Sequence, residues 1–282
     1  MRNTIDKYYT KPEIVGQCLD HIQKHISHNA GDYIIEPSAG NGAFMPGIKQ
    51  RFNGYFVFLD IEPEHAEIHA QDYLAYIPPP KTQQLPCQIH VIGNPPFGRQ
   101  SSLAIKFIKK SCEFCDTVSF ILPKSFKKDS MKKHFPLNFH LAFEIDLPTN
   151  SFLVREEEHD VPCILQIWMK RDHPRIVADK LEPFGYEFVK KSDNPHISFR
   201  RVGVNAGAIS LDIANKSEQS HYFIRLLNPD QEGGQSSDQE EVETVVSKLS
   251  RITFESDNTV GPKSISKQEL IHKFNPVLSN PK

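Results

Sequence analysis

The sequence predicts an α/β fold built on a mostly parallel β-sheet. Through residues 1–170, short apolar runs alternate with amphipathic or charged segments, a rhythm typical of strands joined by crossover helices. One apolar run leads into a Gly-containing turn and then a helix, over Tyr33 to Phe44. After Arg171 the rhythm changes to short runs separated by Gly, Asn and Pro. We therefore expect one domain over residues 1–170 and a small α+β domain over residues 171–282.

The apolar runs and their spacing predict the individual elements. The strands expected in the first domain are Tyr33–Glu36, Tyr55–Leu59, Ile89–Gly93, Thr117–Leu122, Phe139–Ile145 and Cys163–Trp168. The expected helices are Pro12–Ser27, where proline suits a first helical turn, Gly42–Arg51, Ser102–Cys115 and Ser125–His134. The short runs of the second domain are Tyr186–Val189, Ile197–Val202 and Tyr222–Leu226. Linker-like composition predicts a mobile loop over 229–241, followed by a helix near Glu241–Leu249.

Composition excludes several classes of protein. Hydrophobic residues make up 38% of the 282 residues, which is too apolar for a disordered chain. No run approaches the ~18 apolar residues of a membrane span, and the N-terminus lacks the apolar run of a signal peptide. We therefore expect an intracellular protein, cytoplasmic or nuclear, that does not bind a membrane. The five cysteines are an odd number and scattered, which fits a reducing compartment.

Metal binding is not expected. Cys112 and Cys115 form a single CxxC on a predicted helix, without a second pair or a histidine pair at zinc spacing, so buried thiols are the favoured interpretation. The acidic run Glu156–Asp160 could imitate a carboxylate metal site, but an exposed loop is the simpler expectation.

Charge is unevenly distributed although the formal net charge is only −2. The segment from Arg99 to Lys133 contains nine basic and three acidic residues, whereas Asp230–Glu243 contains six acidic residues and no basic one. A basic segment of this kind can bind a polyanion, although a solvated helix face is the commoner explanation. The acidic segment could shield the basic face, bind a partner or aid solubility.

The turn after the first sheet strand has the features of a nucleoside site. Its sequence is Glu36-Pro37-Ser38-Ala39-Gly40-Asn41-Gly42, at a predicted helix N-terminus where a ligand can approach backbone amides closely. The next strand ends at Asp60, whose carboxylate could accept hydrogen bonds from two ribose hydroxyls. Met45 replaces the third glycine of GxGxxG, which disfavours a dinucleotide. A purely structural strand-turn-helix remains the alternative.

The segment Asn94-Pro95-Pro96-Phe97 ends the run at Ile89–Gly93. Two consecutive prolines restrict the backbone and remove amide donors, so carbonyl groups can point outward as acceptors beside the Asn94 amide. This arrangement suits a planar substrate with an exocyclic NH2 group, held by the Asn94 side-chain oxygen and a proline carbonyl, with Phe97 as a stacking face.

With both segments in view, residues 8–170 resemble class I S-adenosylmethionine-dependent amino-methyltransferases of the N6-adenine type. Asn94-Pro95-Pro96-Phe97 matches the family motif (D/N)PP(Y/F), and the turn over Glu36–Gly42 resembles the methionine-binding turn. Tyr8-Tyr9-Thr10-Lys11-Pro12 is similar to the segment that borders the cofactor. The resemblance implies a Rossmann-like, mostly parallel seven-stranded sheet flanked by helices, and S-adenosylmethionine as the cofactor.

The resemblance also implies roles for individual residues. Asp60 would bind the ribose, Ile61 would lie against adenine, and Asp72 would meet the adenine amino group. The cofactor-binding set is then Tyr9, Thr10, Glu36, Pro37, Ser38, Ala39, Gly40, Gly42, Asp60, Ile61, Asp72, Tyr73 and Asn94. The catalytic set is Asn94, Pro95, Pro96 and Phe97. Phe152 would supply a second stacking face for the target base, or would pack in the core.

Nucleic acid is the expected partner, with DNA favoured over RNA because a compact core with a modest appendage resembles a free-standing DNA adenine methyltransferase. Lys124, Lys127 and Arg200 are expected to contact phosphates, together with Arg99, Lys106, Lys109, Lys110, Lys128, Lys132, Lys133 and Arg201. An RNA adenosine methyltransferase is the leading alternative, followed by a protein-glutamine methyltransferase and a non-catalytic subunit. The sequence leaves the oligomeric state open, with a homodimer or a heterodimer among the options.

Overall fold

The computed structural model describes residues 8–80, 87–177, 179–227, 239–254 and 263–279. These residues divide into two compact units, one ending at Ile176 and one beginning at Val177. Within the described ranges, no helix is long and apolar enough to cross a membrane. What each unit recognises stays a prediction.

The first unit contains ten strands and four α-helices among its described residues. The strands are β1 (Tyr9–Thr10), β2 (Tyr33–Glu36), β3 (Tyr55–Asp60), β4 (His69–Ala70), β5 (Ile89–Gly93), β6 (Thr117–Pro123), β7 (Phe139–Asp146), β8 (Phe152–Val154), β9 (Glu157–His159) and β10 (Cys163–Lys170). The helices are α1 (Pro12–His25), α2 (Met45–Arg51), α3 (Ser102–Cys112) and α4 (Asp129–Lys132). Short 3-10 turns cover Tyr73–Ala75, Arg99–Ser101 and Lys124–Lys127.

Seven of these strands form one sheet in the order β4-β3-β2-β5-β6-β10-β7. Every neighbouring pair is parallel except those of β10, which runs antiparallel to both β6 and β7. The predicted Rossmann-like, mostly parallel seven-stranded sheet is therefore confirmed. The chain reverses its direction of travel across the sheet between β2 and β5, the place where open α/β sheets bind ligands at the carboxyl ends of their strands.

Two clusters of buried apolar side chains pack the helices against this sheet. One cluster contains α1 and α2 residues such as Leu19 and Ile48, and the other contains α3 residues such as Ile108. The spacing of apolar residues along α1 and α3 explains why each helix buries a single face. Cys112 and Cys115 lie in the second cluster, so the expectation of buried thiols is confirmed.

A separate three-stranded sheet lies in the same unit, in the order β1-β8-β9. Tyr9 pairs with Leu153 and Thr10 with Phe152, and β9 continues the antiparallel ladder. The residues Glu157–His159 therefore form a strand, where the sequence favoured an exposed loop. Their side chains are nevertheless exposed.

The helix predicted over Ser125–His134 is wrong. The segment instead contains the 3-10 turn over Lys124–Lys127 and the four-residue α4, separated by an extended residue at Lys128. Phe126 is buried in the core, and its carbonyl oxygen accepts a hydrogen bond from Gln166 Nε2 at 3.1 Å. That carbonyl is consequently engaged by a strand side chain rather than by a helical amide. The other predicted helix and strand ends differ from the structure by only a few residues.

The second unit is an α+β structure. Its strands are β11 (Tyr186–Val189), β12 (Ile197–Arg200), β13 (Ile209–Ser210) and β14 (His221–Leu226), arranged antiparallel in the order β11-β14-β12-β13. Its helices are α5 (Gln239–Leu249) and α6 (Lys267–Ser279). Residues from both helices and the sheet share one apolar cluster. Of the loop predicted over 229–241, residues 229–238 lie outside the described part of the chain, and the last three residues begin α5.

Candidate active site

Two loops meet at the carboxyl ends of β2 and β5. Ser38, in the turn after β2, donates a hydrogen bond from its hydroxyl to the backbone oxygen of Asn94 at 3.1 Å. Asn94 follows β5 directly, so this bond joins the Gly-containing turn to the Asn94–Phe97 segment. The sequence predicted both loops as parts of one site, and the topology of the sheet brings them together.

The glycine turn is held from the end of β3. The Asp60 carboxylate accepts hydrogen bonds from the backbone N–H of Gly40 at 2.8 Å and of Glu62 at 2.8 Å. Gly40 has φ +52°, and a Cβ atom there would lie 3.3 Å from the Tyr9 ring. The Tyr9 hydroxyl in turn donates to Glu64 at 2.6 Å. Because each carboxylate oxygen has more than one lone pair, Asp60 can still accept hydroxyl donors while it holds the turn.

Glu36 is a buried carboxyl group at the end of β2. Its Oε2 atom has no hydrogen-bond partner within the described residues. Burial raises the pKa of Glu36 to about 8, and the nearby Asp60 charge adds to the rise. A buried acceptor without a partner is costly, so this position favours a cationic or N–H-donating group of a ligand.

Asn94 is oriented by hydrogen bonds on one side of its amide. Its Nδ2 atom donates to Thr10 Oγ1 at 3.2 Å and lies 3.5 Å from the Tyr8 backbone oxygen. Its Oδ1 atom is buried and has no partner within the described part of the chain. The two donors are thus used by the protein, whereas the acceptor is left for another molecule.

The rest of the Asn94–Phe97 segment is held firmly. Pro95 is buried, and Phe97 is half-buried where the two core clusters of this unit meet. The Phe97 backbone oxygen accepts hydrogen bonds from Leu103 N–H at 3.0 Å and Ala104 N–H at 3.3 Å, at the start of α3. Pro96 is also half-buried. The segment is therefore fixed at both ends, as a site that positions a substrate requires.

The other predicted cofactor-binding residues differ in how exposed their side chains are. Ile61 is 67% exposed next to Asp60, so its apolar side chain is available to a flat ring. Asp72 is exposed and accepts a hydrogen bond from Leu74 N–H at 2.9 Å. Pro37, Ala39 and Gly42 are buried, with Ala39 N–H donating to the Leu59 carbonyl at 2.8 Å.

Two predicted site residues have side chains in the core. The Tyr73 ring is buried against other aromatic rings, and its hydroxyl lies 2.7 Å from Ser111 Oγ, so its side chain is a core element rather than a ligand contact. Phe152 is 1% exposed on β8 and belongs to a core cluster. This burial favours the core-packing interpretation of Phe152 that the sequence left open, because a buried ring offers no face to a base.

The predicted phosphate-binding side chains are partly engaged. Lys127 Nζ lies 2.7 Å from Asp146 Oδ1, and Lys124 Nζ lies 3.5 Å from Asp146 Oδ2. In the second unit, Arg200 Nε donates to the Val202 carbonyl at 3.1 Å. The guanidinium of Arg201 donates to the Gln219 carbonyl at 2.8 Å. The Asp146 carboxylate offsets part of the positive charge of the two lysines. The carbonyl contacts use donors of the two arginines and leave their charge unchanged.

Sequence reasoning missed several residues around the site. Glu64 orients Tyr9, and the hairpin of β8 and β9 brings Val154, Glu157 and His159 near Tyr8. Each strand of this hairpin has three residues. Such strands are too short to show a recognisable alternation of apolar and polar residues in the sequence.

Comparison of the chain with known proteins finds solved structures of low sequence identity. No family model and no curated protein matches the chain. A structure described as an RNA methyltransferase from Pyrococcus horikoshii is 15% identical, with a TM-score of 0.47, over 60% of this chain and 90% of that one. The 23S rRNA methyltransferase ErmE is 13% identical, with a TM-score of 0.45, over 61% of this chain and 73% of that one. Magnesium protoporphyrin IX methyltransferase from Synechocystis, solved with bound S-adenosylmethionine, is 12% identical, with a TM-score of 0.39, over 57% and 78%. Such weak likeness carries no argument about activity.

Proposed function

We propose that this protein is an S-adenosylmethionine-dependent methyltransferase that methylates the N6 amine of adenine in nucleic acid, with DNA as the favoured polymer. The observation that carries this proposal is the Asn94 side chain. Its Oδ1 atom is buried and has no partner in the described parts of the chain, while its Nδ2 atom is held by Thr10. A buried acceptor that already sits in a fixed orientation is suited to an exocyclic amine.

The residues around the glycine turn fit the proposed cofactor. The Glu36 carboxyl, whose Oε2 atom has no partner among the residues that the structure describes, would meet the methionine amino group, and Asp60 would accept the ribose hydroxyls. Ile61, exposed beside Asp60, would cover one face of the cofactor adenine. When bound, the cofactor supplies a sulfonium methyl group to the amine, with the sulfur keeping the bonding electron pair and one amine proton passing to water.

Asn94 has two tasks in this reaction. Asn94 Oδ1 accepts one N–H hydrogen of the amine, and the Pro95 carbonyl is proposed to accept the other. These hydrogen bonds raise the electron density on the amine nitrogen, whose lone pair is delocalised into the adenine ring. The same bonds stabilise the positive charge that develops on nitrogen as the new bond forms. They also hold the amine in the orientation for in-line attack, and such positioning can contribute several kcal/mol. Phe97 provides the stacking face.

The target adenine must be outside a helical stack for its amine to reach Asn94. A single strand or a flipped base satisfies this requirement. We propose DNA rather than RNA because of the sequence resemblance. The experiment below distinguishes the two polymers, since the geometry of the first unit suits either.

Transfer of radiolabelled methyl groups to DNA and RNA oligonucleotides, followed by nucleoside analysis, tests the proposal. We expect label in N6-methyldeoxyadenosine and a loss of at least about 100-fold in Asn94→Ala. Asn53→Ala, at an exposed asparagine after α2, is the matched control and should keep full activity.

The other outcomes of this experiment are equally informative. Label in N6-methyladenosine would show that the substrate is RNA and would contradict the proposal of DNA. No label on either polymer, with cofactor binding intact, would contradict nucleic acid as the substrate and turn attention to protein glutamine.

A further inference from the structure

A cavity of about 330 Å³ lies on the β1-β8-β9 sheet and is lined by Tyr8, Val154, Arg155, Glu157 and His159. Its volume falls at the low end of the ~300–1,000 Å³ typical of small-molecule pockets. None of the residues Asn94–Phe97 lines it. A group bound there is therefore separate from the amine that meets Asn94.

The cavity is nevertheless next to the Asn94 amide. Thr10 pairs with Phe152, and Phe152 pairs with His159, so these three side chains share one face of the small sheet. Val154 and Glu157 form the next directly opposed pair on the same face. Thr10 contacts Asn94 from this face, and the Tyr8 backbone oxygen lies 3.5 Å from Asn94 Nδ2. The cavity thus continues the surface that orients the catalytic amide.

The lining combines the groups that one nucleotide requires. Tyr8 is 41% exposed, and its ring lies edge to face with the His159 ring, with the centroids 6.1 Å apart. Because the two rings are perpendicular, a flat base can stack on one of them and meet the other through its edge. Val154 adds apolar surface. The Glu157 carboxylate is acceptor-only, and the Arg155 guanidinium can pair with a phosphate. Among the described residues, neither of these two charged groups is engaged by a hydrogen bond or an ion pair.

The hairpin tip provides a second, independent observation. Arg155 has φ +50° and Glu156 has φ +70°, and together they form the two-residue turn between β8 and β9. Turns with positive φ at both central residues prefer Asn-Gly, Asp-Gly or Gly-Gly, so this pair carries backbone strain. Strain of this kind is concentrated at ligand clamps and active sites.

We propose that this cavity, which we call the flanking-base pocket, binds the nucleobase adjacent to the methylated adenine. The proposal rests on the function proposed above and adds a sequence preference to it. The base stacks on the Tyr8 ring and meets the perpendicular His159 ring through its edge, and Arg155 contacts its phosphate. Guanine is the preferred base, because its Watson–Crick edge has two adjacent N–H donors that a single carboxylate, Glu157, can accept together.

Binding of fluorescein-labelled single-stranded heptamers to the full-length protein, followed by anisotropy with S-adenosylhomocysteine present, tests the pocket. Each heptamer carries a central adenine, with guanine, another base or an abasic site on its 5′ or 3′ side. We expect an abasic neighbour on one side to weaken binding roughly tenfold. Tyr8→Ala and His159→Ala should weaken binding of the intact heptamer by a similar factor and leave the abasic one unchanged.

Three further variants sharpen this experiment. Tyr8→Trp keeps the stacking face and should retain affinity, whereas Glu157→Gln should reduce the preference for guanine from about tenfold to about twofold. Tyr55→Ala removes a tyrosine that is 59% exposed at the start of β3, at the other end of the parallel strands, and should change nothing. Thermal denaturation of every variant verifies that it is folded.

The two proposals fail in different ways. If Tyr8→Ala and His159→Ala bind intact and abasic heptamers as the unmodified protein does, the flanking-base pocket is wrong, even when methyl transfer is observed. If binding depends on the neighbouring base but no label is transferred, the pocket is supported and the proposed reaction is wrong. Absence of all binding would overturn both.

Discussion

Thr10 controls the orientation of Asn94 without a proposed part in the chemistry on the target amine. Its hydroxyl oxygen accepts a hydrogen bond from Asn94 Nδ2 at 3.2 Å, and the residue is buried. In Thr10→Val this acceptor is lost while the shape is conserved, so the amide can rotate away from the reactive orientation. We expect kcat to fall about tenfold or more, because small errors in positioning are costly.

The matched control is Thr10→Ser, which keeps the hydroxyl and should keep kcat within a few-fold. Steady-state kinetics and calorimetric cofactor binding separate the effects on kcat and on cofactor affinity. A large loss of cofactor affinity with an unchanged kcat would contradict a positioning role for Thr10.

Glu36 makes stability depend on pH. Burial, reinforced by Asp60, raises the pKa of its carboxyl group to about 8 from an ordinary value of 4.5. Between these values the folded protein holds a proton that the unfolded chain has released. The stabilising effect of that proton is complete below about pH 4.5 and is lost as the pH rises to about 8, by up to ~1.4 kcal/mol per pH unit.

Glu36→Gln removes this titration. Urea denaturation at pH 5, 6, 7 and 8 should show the unmodified protein losing stability relative to the variant as the pH rises. Parallel curves for the two proteins would contradict a raised pKa at Glu36. The comparison uses the protein without cofactor, since bound ligand would shift both the pKa and the stability.

At the scale of elements, the connection between α2 and β3 depends on one glycine. Gly54 has φ +148°, and a Cβ atom there would lie 2.4 Å from the Asp32 backbone oxygen. That oxygen already accepts a hydrogen bond from Tyr55 N–H at 2.8 Å, at the start of the β2 and β3 pairing. A methyl group at this position would have to push the two strands apart.

Gly54→Ala should therefore lower the free energy of unfolding by about 3 kcal/mol, and Gly31→Ala should change it by less than about 1 kcal/mol. Gly31 is the matched control because a Cβ atom there would meet nothing within 4 Å. Urea denaturation of both variants measures the difference. Equal stabilities would show that the β2 and β3 connection tolerates a side chain at Gly54.

The structure also explains which elements were predictable. The strand Ile89–Gly93 was predicted with its observed bounds, because a buried strand of a parallel sheet is a continuous apolar run. The helix expected over Ser125–His134 was wrong, because Phe126 and Gln166 make contacts that local spacing does not contain. The β8 and β9 hairpin escaped prediction since its strands are short and exposed.

At the scale of the whole molecule, the distribution of charge determines how strongly the protein binds a polyanion. The net charge of −2 gives no general attraction, so binding must rely on local basic residues. Asp146 pairs with Lys127 at 2.7 Å and with Lys124 at 3.5 Å, which offsets two of them. Asp146→Asn should therefore strengthen oligonucleotide binding several-fold at low salt.

The same variant should steepen the salt dependence, because each additional phosphate contact adds roughly −0.7 to −0.9 to the slope of log K against log salt. Asp20→Asn is the matched control: it also breaks an exposed ion pair, to Arg51, outside the basic segment. Anisotropy titrations between 50 and 200 mM salt provide the measurement. A flat salt response of the unmodified protein would contradict a polyanionic substrate.

The sequence by itself determined the α/β class, most strand positions, the glycine turn, Asp60 and the Asn94–Phe97 segment, because apolar runs and motif spacing are local properties of the chain. Tertiary structure alone decided which of these groups are partnered. Thr10 and Asn94 are 84 residues apart and meet only because β1 pairs with β8 and the turn after β5 lies beside them. Tyr73 and Phe152 became core residues for the same reason, since burial depends on long-range packing that no local pattern specifies.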